Sequence, residues 1–283
     1  MSAAESVQPT QPPSAATVRE RRALLATCVA AAVRGGEIVR DGASHLATIQ
    51  WEEKGHADFV SDVDRRSEEA IAGVVRERHA DARLVGEELS PTLGAPAGLV
   101  FVADPLDGTT NFLHGFPWYA VSVAAVVDGT IEAGAILNAA TGELFSATLG
   151  GGTRRAGQPA TVSTITDPLR ALIGTGFPFK RATEQSARYM TVLPALMQST
   201  AGLRRPGAAA LDLADVACGR FDAFFELMLA PWDIAAGILL VREAGGIVTD
   251  LSGAPARLAH TPIVAGNPAM HAWLLAALNP SDH

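Results

Sequence analysis

Asp104-Pro105-Leu106-Asp107-Gly108-Thr109-Thr110-Asn111 directly follows Leu99-Val100-Phe101-Val102-Ala103, an apolar run without a charge. A short, continuous run of this kind predicts a strand buried on both faces. The acids begin where the run stops. The strand therefore delivers two carboxylates, a glycine and two hydroxyls to its own C-terminal end. In α/β proteins the C-terminal ends of strands are where sites are built.

Outward from this stretch, other elements also end or begin on acids. Leu84-Val85-Gly86 reads as a short strand that stops at Glu87-Glu88, and Trp232-Asp233 opens a helix that closes at Gly245-Gly246. Each acid has a plain structural reading. An Asp after a strand serves a turn, and an Asp at a helix start favours the dipole. Asp58, Asp62 and Asp64 read the same way, as a cluster at the start of a helix. Glu87, Asp104, Asp107 and Asp233 taken together ask for more. Gathered carboxylates repel unless a cation holds them, and hard divalent cations take oxygen ligands. Two such ions about 3.5–4 Å apart would activate water and stabilise the leaving oxygen of a phosphate ester. Gly108-Thr109-Thr110 then suits a phosphate, because N–H groups at a turn into a helix bind anions and glycine permits close approach.

The remaining pattern is α/β. Thr17-Val-Arg-Glu20 has capping-box spacing ahead of an alanine-rich helix to about Val39, and a second helix runs to about His79. Residues 42–60 read as a loop or an irregular hairpin. Tyr119–Val127 and Ile131–Leu137, joined by Asp128-Gly129, predict a hairpin, with a further strand over Glu143–Thr148. Gly150-Gly-Gly-Thr reads as a turn, because it lacks the Lys-Ser/Thr ending of a phosphate loop. Beyond Thr161, strands are predicted at Ala171–Thr175, Leu203, Asp222–Glu226, Ile247–Thr249 and Ile263-Val264. Helices are predicted over 184–199, Ala208–Cys218, Trp232–Glu243 and Pro268–Leu278. The shift near 150–160 predicts two closely packed halves, 14–155 and 156–283, behind a disordered leader over 1–13.

Composition narrows the function. The 283 residues are 48% hydrophobic and 18% charged, which suits a large core. A net charge of −8 argues against nucleic acid as partner, and an acidic protein acting on an anion needs a cation. Cys28 and Cys218 are too few for a disulfide framework and read as buried thiols in a reducing compartment. No run approaches a membrane-spanning length, and the leader lacks the layout of a signal peptide, so no membrane association and a cytoplasmic location are expected.

Asp104–Asn111, with Gly86-Glu-Glu88 upstream and Trp232-Asp233 ahead of Glu243-Ala-Gly-Gly246, resembles the inositol monophosphatase family over about residues 20–270. Phe112-Leu-His-Gly-Phe-Pro117, Gly174-Thr-Gly-Phe-Pro-Phe-Lys180 and Arg204-Arg-Pro-Gly-Ala-Ala-Ala-Leu211 are similar to its bacterial branch. The resemblance implies a layered α-β-α-β-α sandwich of the inositol monophosphatase and fructose-1,6-bisphosphatase type. It implies a Mg²⁺-dependent phosphomonoesterase for inositol 1-phosphate, homodimeric and often inhibited by Li⁺. By position, Glu87, Asp104 and the Leu106 carbonyl would hold one Mg²⁺, and Asp104, Asp107 and Asp233 a second. Lys54 and Asp58 match a loop that approaches a third, weaker ion. Glu87 would face the attacking water, Thr109 would orient it, and Asp64 would hold Thr109. Asp107, Gly108, Thr109, Gly207, Ala208, Ala209, Glu226 and Asp233 would contact substrate.

The resemblance also implies direct attack by water. No Cys-x5-Arg loop is present, and Asp-x-x-Asp-Gly-Thr is not the spacing of an aspartyl-phosphate motif. His114, beside the motif, reads as structural. One departure bears on the alcohol released. Many animal members carry His three residues before the motif Asp, and Ala230 stands there in this chain. Histidinol phosphate, fructose 1,6-bisphosphate and 3′-phosphonucleotides stay open as substrates, and so does a catalytically silent metal-binding regulatory role.

Overall fold

The computed structural model describes residues 15–55, 58–94, 97–177 and 184–279. The leader over 1–13 and the end of the Gly174–Lys180 motif, residues 178–180, lie outside them. The chain begins with α1 (Ala15–Ala43), the hairpin β1 (Trp51–Gly55) and β2 (Asp58–Ser61), and α2 (Asp62–Arg78). Next come β3 (Arg83–Gly86), β4 (Leu99–Asp107), the short α3 (Thr109–Leu113), β5 (Ala120–Val127), β6 (Thr130–Asn138), β7 (Leu144–Thr148), β8 (Gly152–Arg155) and β9 (Gln158–Ala160). Strands β3 to β9 form one sheet in sequence order; β3 is parallel to β4 and the other pairs are antiparallel.

The second part of the chain supplies β10 (Leu172–Thr175), α4 (Glu184–Ser199), β11 (Gly202–Arg204), α5 (Ala209–Ala217), β12 (Ala223–Leu229), α6 (Pro231–Glu243), β13 (Ile247–Thr249), β14 (Thr261–Gly266) and α7 (Pro268–Leu278). Its strands form a second sheet in the order β11-β10-β12-β14-β13.

The layers follow from strand alternation. Along β4, Val100 and Val102 pack with α5 and α6, while Phe101 and Ala103 pack with α1 and α2. The large sheet is thus covered on both faces. Helices α5 and α6 meet the second sheet on their far side, and α4 and α7 cover that sheet's outer face with Ile173, Phe225 and Val264. The result is an α-β-α-β-α sandwich. Lying between two sheets, α6 is apolar almost all round, from Ile234 to Val241. Close approach in this layer needs small residues. A Cβ on Gly237 of α6 would lie 2.4 Å from Cδ1 of Leu213 on α5.

Three local expectations are corrected. Helix α1 already runs from Ala15, so the Thr17–Glu20 pair lies inside it rather than ahead of it. Of the acids expected at the start of α2, Asp58 belongs to β2, and the cap is Ser61: its hydroxyl accepts from the Val63 N–H, and Asp64 returns a bond to the Ser61 N–H. Strands β8 and β9 were not expected, because charged and polar edge residues such as Arg154, Arg155 and Gln158 hide the alternation. Among the described residues no helix is long and apolar enough to cross a membrane.

Candidate active site

Strands β3 and β4 run parallel with Gly86 opposite Ala103, so Glu87 emerges beside Asp104. Against β5, Asp104 opposes Ser122 and Asp107 opposes Ala120. Three steps along β4 therefore match two along β5, a one-residue bulge. In an unbroken strand, residues an odd number apart face opposite sides. The bulge restores the phase and puts both carboxylates on the face that α5 and α6 cover. Pro105 sits within it, where one residue is unpaired anyway. The strand thus continues through the acids instead of stopping at Ala103.

Asp104 is 1% exposed, and its Oδ1 accepts the Leu106 N–H at 3.0 Å. Burial raises its carboxyl well above the ordinary range, and repulsion from Glu87, Asp107 and Asp233 raises it further. Those acids come from separate elements: the turn after β3, the end of β4 and the first turn of α6. Asp107 Oδ2 accepts the Ala210 N–H at 2.7 Å at the start of α5. Asp233 Oδ2 accepts the Ala230 N–H at 2.7 Å at the start of α6. Each acid is anchored where a helix dipole favours negative charge. Among the described residues no three such side chains close into a ready-made metal cluster. The donor chemistry still fits a hard cation, because every candidate ligand is a carboxylate or carbonyl oxygen and the acids are near enough to repel one another.

Thr109 Oγ1 lies 3.0 Å from Asp64 Oδ1 and 3.0 Å from the Leu106 carbonyl oxygen. One hydroxyl proton serves these two acceptors. Asp64 Oδ2 accepts from the Ser61 N–H at 2.9 Å and the Ser61 hydroxyl at 2.5 Å. Burial nevertheless pushes the Asp64 carboxyl up to about 6, and these hydrogen bonds only partly oppose it.

The segment before α5 closes the other side. Gly207 and Gly108 both take positive φ, +94° and +89°, and a Cβ on Gly108 would lie 3.0 Å from the Trp118 carbonyl oxygen. The Asn111 amide donates to the Trp118 and Pro206 carbonyls at 2.7 and 2.9 Å, which fastens the end of the motif to residues 206–207. Glu226 on β12 lies over Gly176, where a Cβ would come within 2.0 Å of its Oε2. Near enough to feel both Glu226 and Asp107 is Asp212, buried on α5 and raised well above the usual carboxylate range, chiefly by burial. The Trp118 indole N–H faces Asp212 and partly offsets this rise, at a geometry short of a full hydrogen bond.

The structure brings together Glu87, Asp104, Asp107 and Asp233, and beside them Leu106, Gly108, Thr109 and Asp64. Gly207 and Ala208 meet the same loop through Gly108, Ala209 follows them as the first residue of α5, and Glu226 approaches from the second sheet. Lys54 and Asp58 flank residues 56–57 in the β1–β2 hairpin, and their side chains lie outside the description. Sequence reasoning missed Ser67, Glu68, Asn111 and Asp212. Glu68 had a usable signal: it falls on the buried stripe Asp64, Glu68, Ile71 and Val75, where a carboxylate needs a reason.

The comparisons with known proteins follow this geometry. Proteins named Nus factor SuhB from Pseudomonas aeruginosa and Escherichia coli are each 40% identical, over 91% and 89% of this chain and 96% and 94% of their own lengths. The crystal structure of extragenic suppressor protein suhB from Bartonella henselae is 38% identical and matches 92% of this chain and all of its own, with a TM-score of 0.87. An inositol monophosphatase from Anabaena is 30% identical over 92% of this chain and 96% of its own, with a TM-score of 0.78. The inositol monophosphatase family model matches residues 20–283, from early in α1 to the C-terminus. This chain therefore belongs to the inositol monophosphatase family, a family of phosphatases that generally use Mg²⁺.

Proposed function

We propose that the chain is a Mg²⁺-dependent phosphomonoesterase that hydrolyses inositol 1-phosphate to inositol and phosphate. The observation that carries this reading is the buried Asp104 carboxylate, which meets three further acids from separate elements beside a hydroxyl already paired with Asp64. Glu87, Asp104 and the Leu106 carbonyl would hold one Mg²⁺, and Asp104, Asp107 and Asp233 a second. A third, weaker ion belongs near Lys54 and Asp58. When bound, Mg²⁺ supplies positive charge to the phosphate oxygens and lowers the pKa of water.

The chain's own groups do the rest. Glu87, half-buried, offers a carboxylate to the proton of the attacking water. Thr109, donating its proton to Asp64, keeps its lone pairs free to accept from that water and so to orient it. Gly108 lets the phosphate approach the backbone at the entry to α3. Glu226 accepts hydroxyls of the polyol, and the backbone of Gly207, Ala208 and Ala209 lines its ring. Ala230 stands where many animal members carry a His and so removes one polar partner from the leaving-group side, and other small phosphomonoesters compete for the same site. The test is phosphate release across inositol 1-phosphate, histidinol phosphate, fructose 1,6-bisphosphate and a 3′-phosphonucleotide, each with Mg²⁺ and with excess chelator. Inositol 1-phosphate is expected to turn over fastest, and only with Mg²⁺. Release that persists in chelator would sink the reading.

A second reading draws on the name Nus factor carried by the relatives, which points to a protein- or RNA-related partner. A variant that has lost turnover separates the two: full partner function in that variant would make the roles independent.

A further inference from the structure

We propose that Glu68 positions Glu87, and through it the metal site; this rests on the reading of Glu87 as a metal ligand. Glu68 stands one helical turn beyond Asp64 on α2 and is 0% exposed. A carboxylate is kept in such a place only when its oxygens are used. Both are. Oε2 accepts the N–H of Glu88 at 2.8 Å, and Oε1 accepts the N–H of Leu89 at 3.0 Å. These are the two amides that immediately follow Glu87. The turn is closed further by Gly86, whose N–H donates to the Ser90 carbonyl at 3.3 Å.

Gly86 also makes the room. A Cβ there would lie 2.3 Å from the Glu68 carboxylate carbon, so the carboxylate reaches the turn only because residue 86 has no side chain. A glycine before the acids thus has a steric reason that does not involve a phosphate.

The same helix face grips two other pieces of the site. Asp64 meets Thr109, and the Ser67 hydroxyl donates to the Pro105 carbonyl at 2.8 Å, inside the β4 bulge. Residues at i, i+3 and i+4 share one face of a helix. Asp64, Ser67 and Glu68 therefore act as a rigid jig that sets the Glu87 turn, the Asp104–Asp107 bulge and Thr109 at fixed spacing. Groups that orient ligands from behind are worth about 10- to 100-fold in metal affinity.

The experiment is a double-mutant cycle between Glu68→Gln and Glu87→Gln, read by the Mg²⁺ concentration at half-maximal rise in melting temperature. Glutamine keeps the shape but replaces one accepting oxygen with a nitrogen that cannot accept. Glu68→Gln alone is expected to raise that midpoint about 10- to 100-fold. Added to Glu87→Gln, it should change the midpoint less than about twofold, because no carboxylate is left to position. Equal shifts in both backgrounds would mark a purely structural role and overturn the inference. So would an unchanged midpoint in Glu68→Gln while Glu87→Gln raises it, and that result leaves the reading of Glu87 standing. No effect of Glu87→Gln would overturn both. If Glu68→Gln does not fold, Glu68→Asp, which keeps the charge but withdraws it by one methylene, enters the same cycle.

Discussion

Asp104 and Asp64 are carboxylates held where water cannot solvate them, and their protonation ties stability to pH. Asp64 is raised from 3.8 to about 6, so its charged form is roughly 3 kcal/mol costlier in the fold. Because the folded value is the higher one, the unfolded chain releases this proton first as pH rises. The contribution of Asp64 is fully present below pH 3.8 and is lost as pH rises to about 6. Asp104 acts in the same direction. In chelator, Asp64→Asn should flatten this fall in a series of urea melts between pH 4 and 7, while turnover with Mg²⁺ drops about 10²-fold as Thr109 loses its charged acceptor. Asp104→Asn should fold, melt no lower than the parent in chelator, gain nothing from added Mg²⁺ and release no phosphate. A parent-like Mg²⁺ response in that variant would contradict the site as drawn.

Among the elements, those with a strong period were the most legible. Helix α6 could be read from its unbroken apolar run, and β5–β6 from Asp128-Gly129 between two largely apolar runs, because burial on both sides leaves few polar residues to blur the pattern. The β4 bulge was not legible. Its pairing is decided by β5, and a bulge leaves no mark in local composition. The acids were recognisable from residue type and order, whereas Asp212 and Asn111 act through contacts distant in the chain. The packing of α6 on α5 gives a prediction at this scale. Gly237→Ala would set a methyl carbon 2.4 Å from Leu213 Cδ1, and overpacking of this kind costs about 1–3 kcal/mol. A lower urea midpoint is expected.

At the scale of the molecule, the candidate site draws on both sheets. Glu87, Asp104 and Asp107 belong to the large sheet and its turns, Glu226 belongs to the second sheet, and Asp233 opens the helix clamped between them. Mg²⁺ with inositol and phosphate should therefore slow amide hydrogen exchange in β4 and β12 alike, and protection confined to β4 would mean that Glu226 takes no part. The Asn111 amide has a mechanical consequence. By gripping residues 206–207 it ties the end of the Asp104–Asn111 stretch to the lead-in of α5, the helix that lies between the two sheets. A ligand seated there is a rivet as well as a reactant. Under the proposed hydrolysis each turnover would withdraw and replace the rivet, leaving the molecule loosest in the interval after product leaves, so a protease added during steady-state hydrolysis should nick the seam faster than one added to the product-saturated protein.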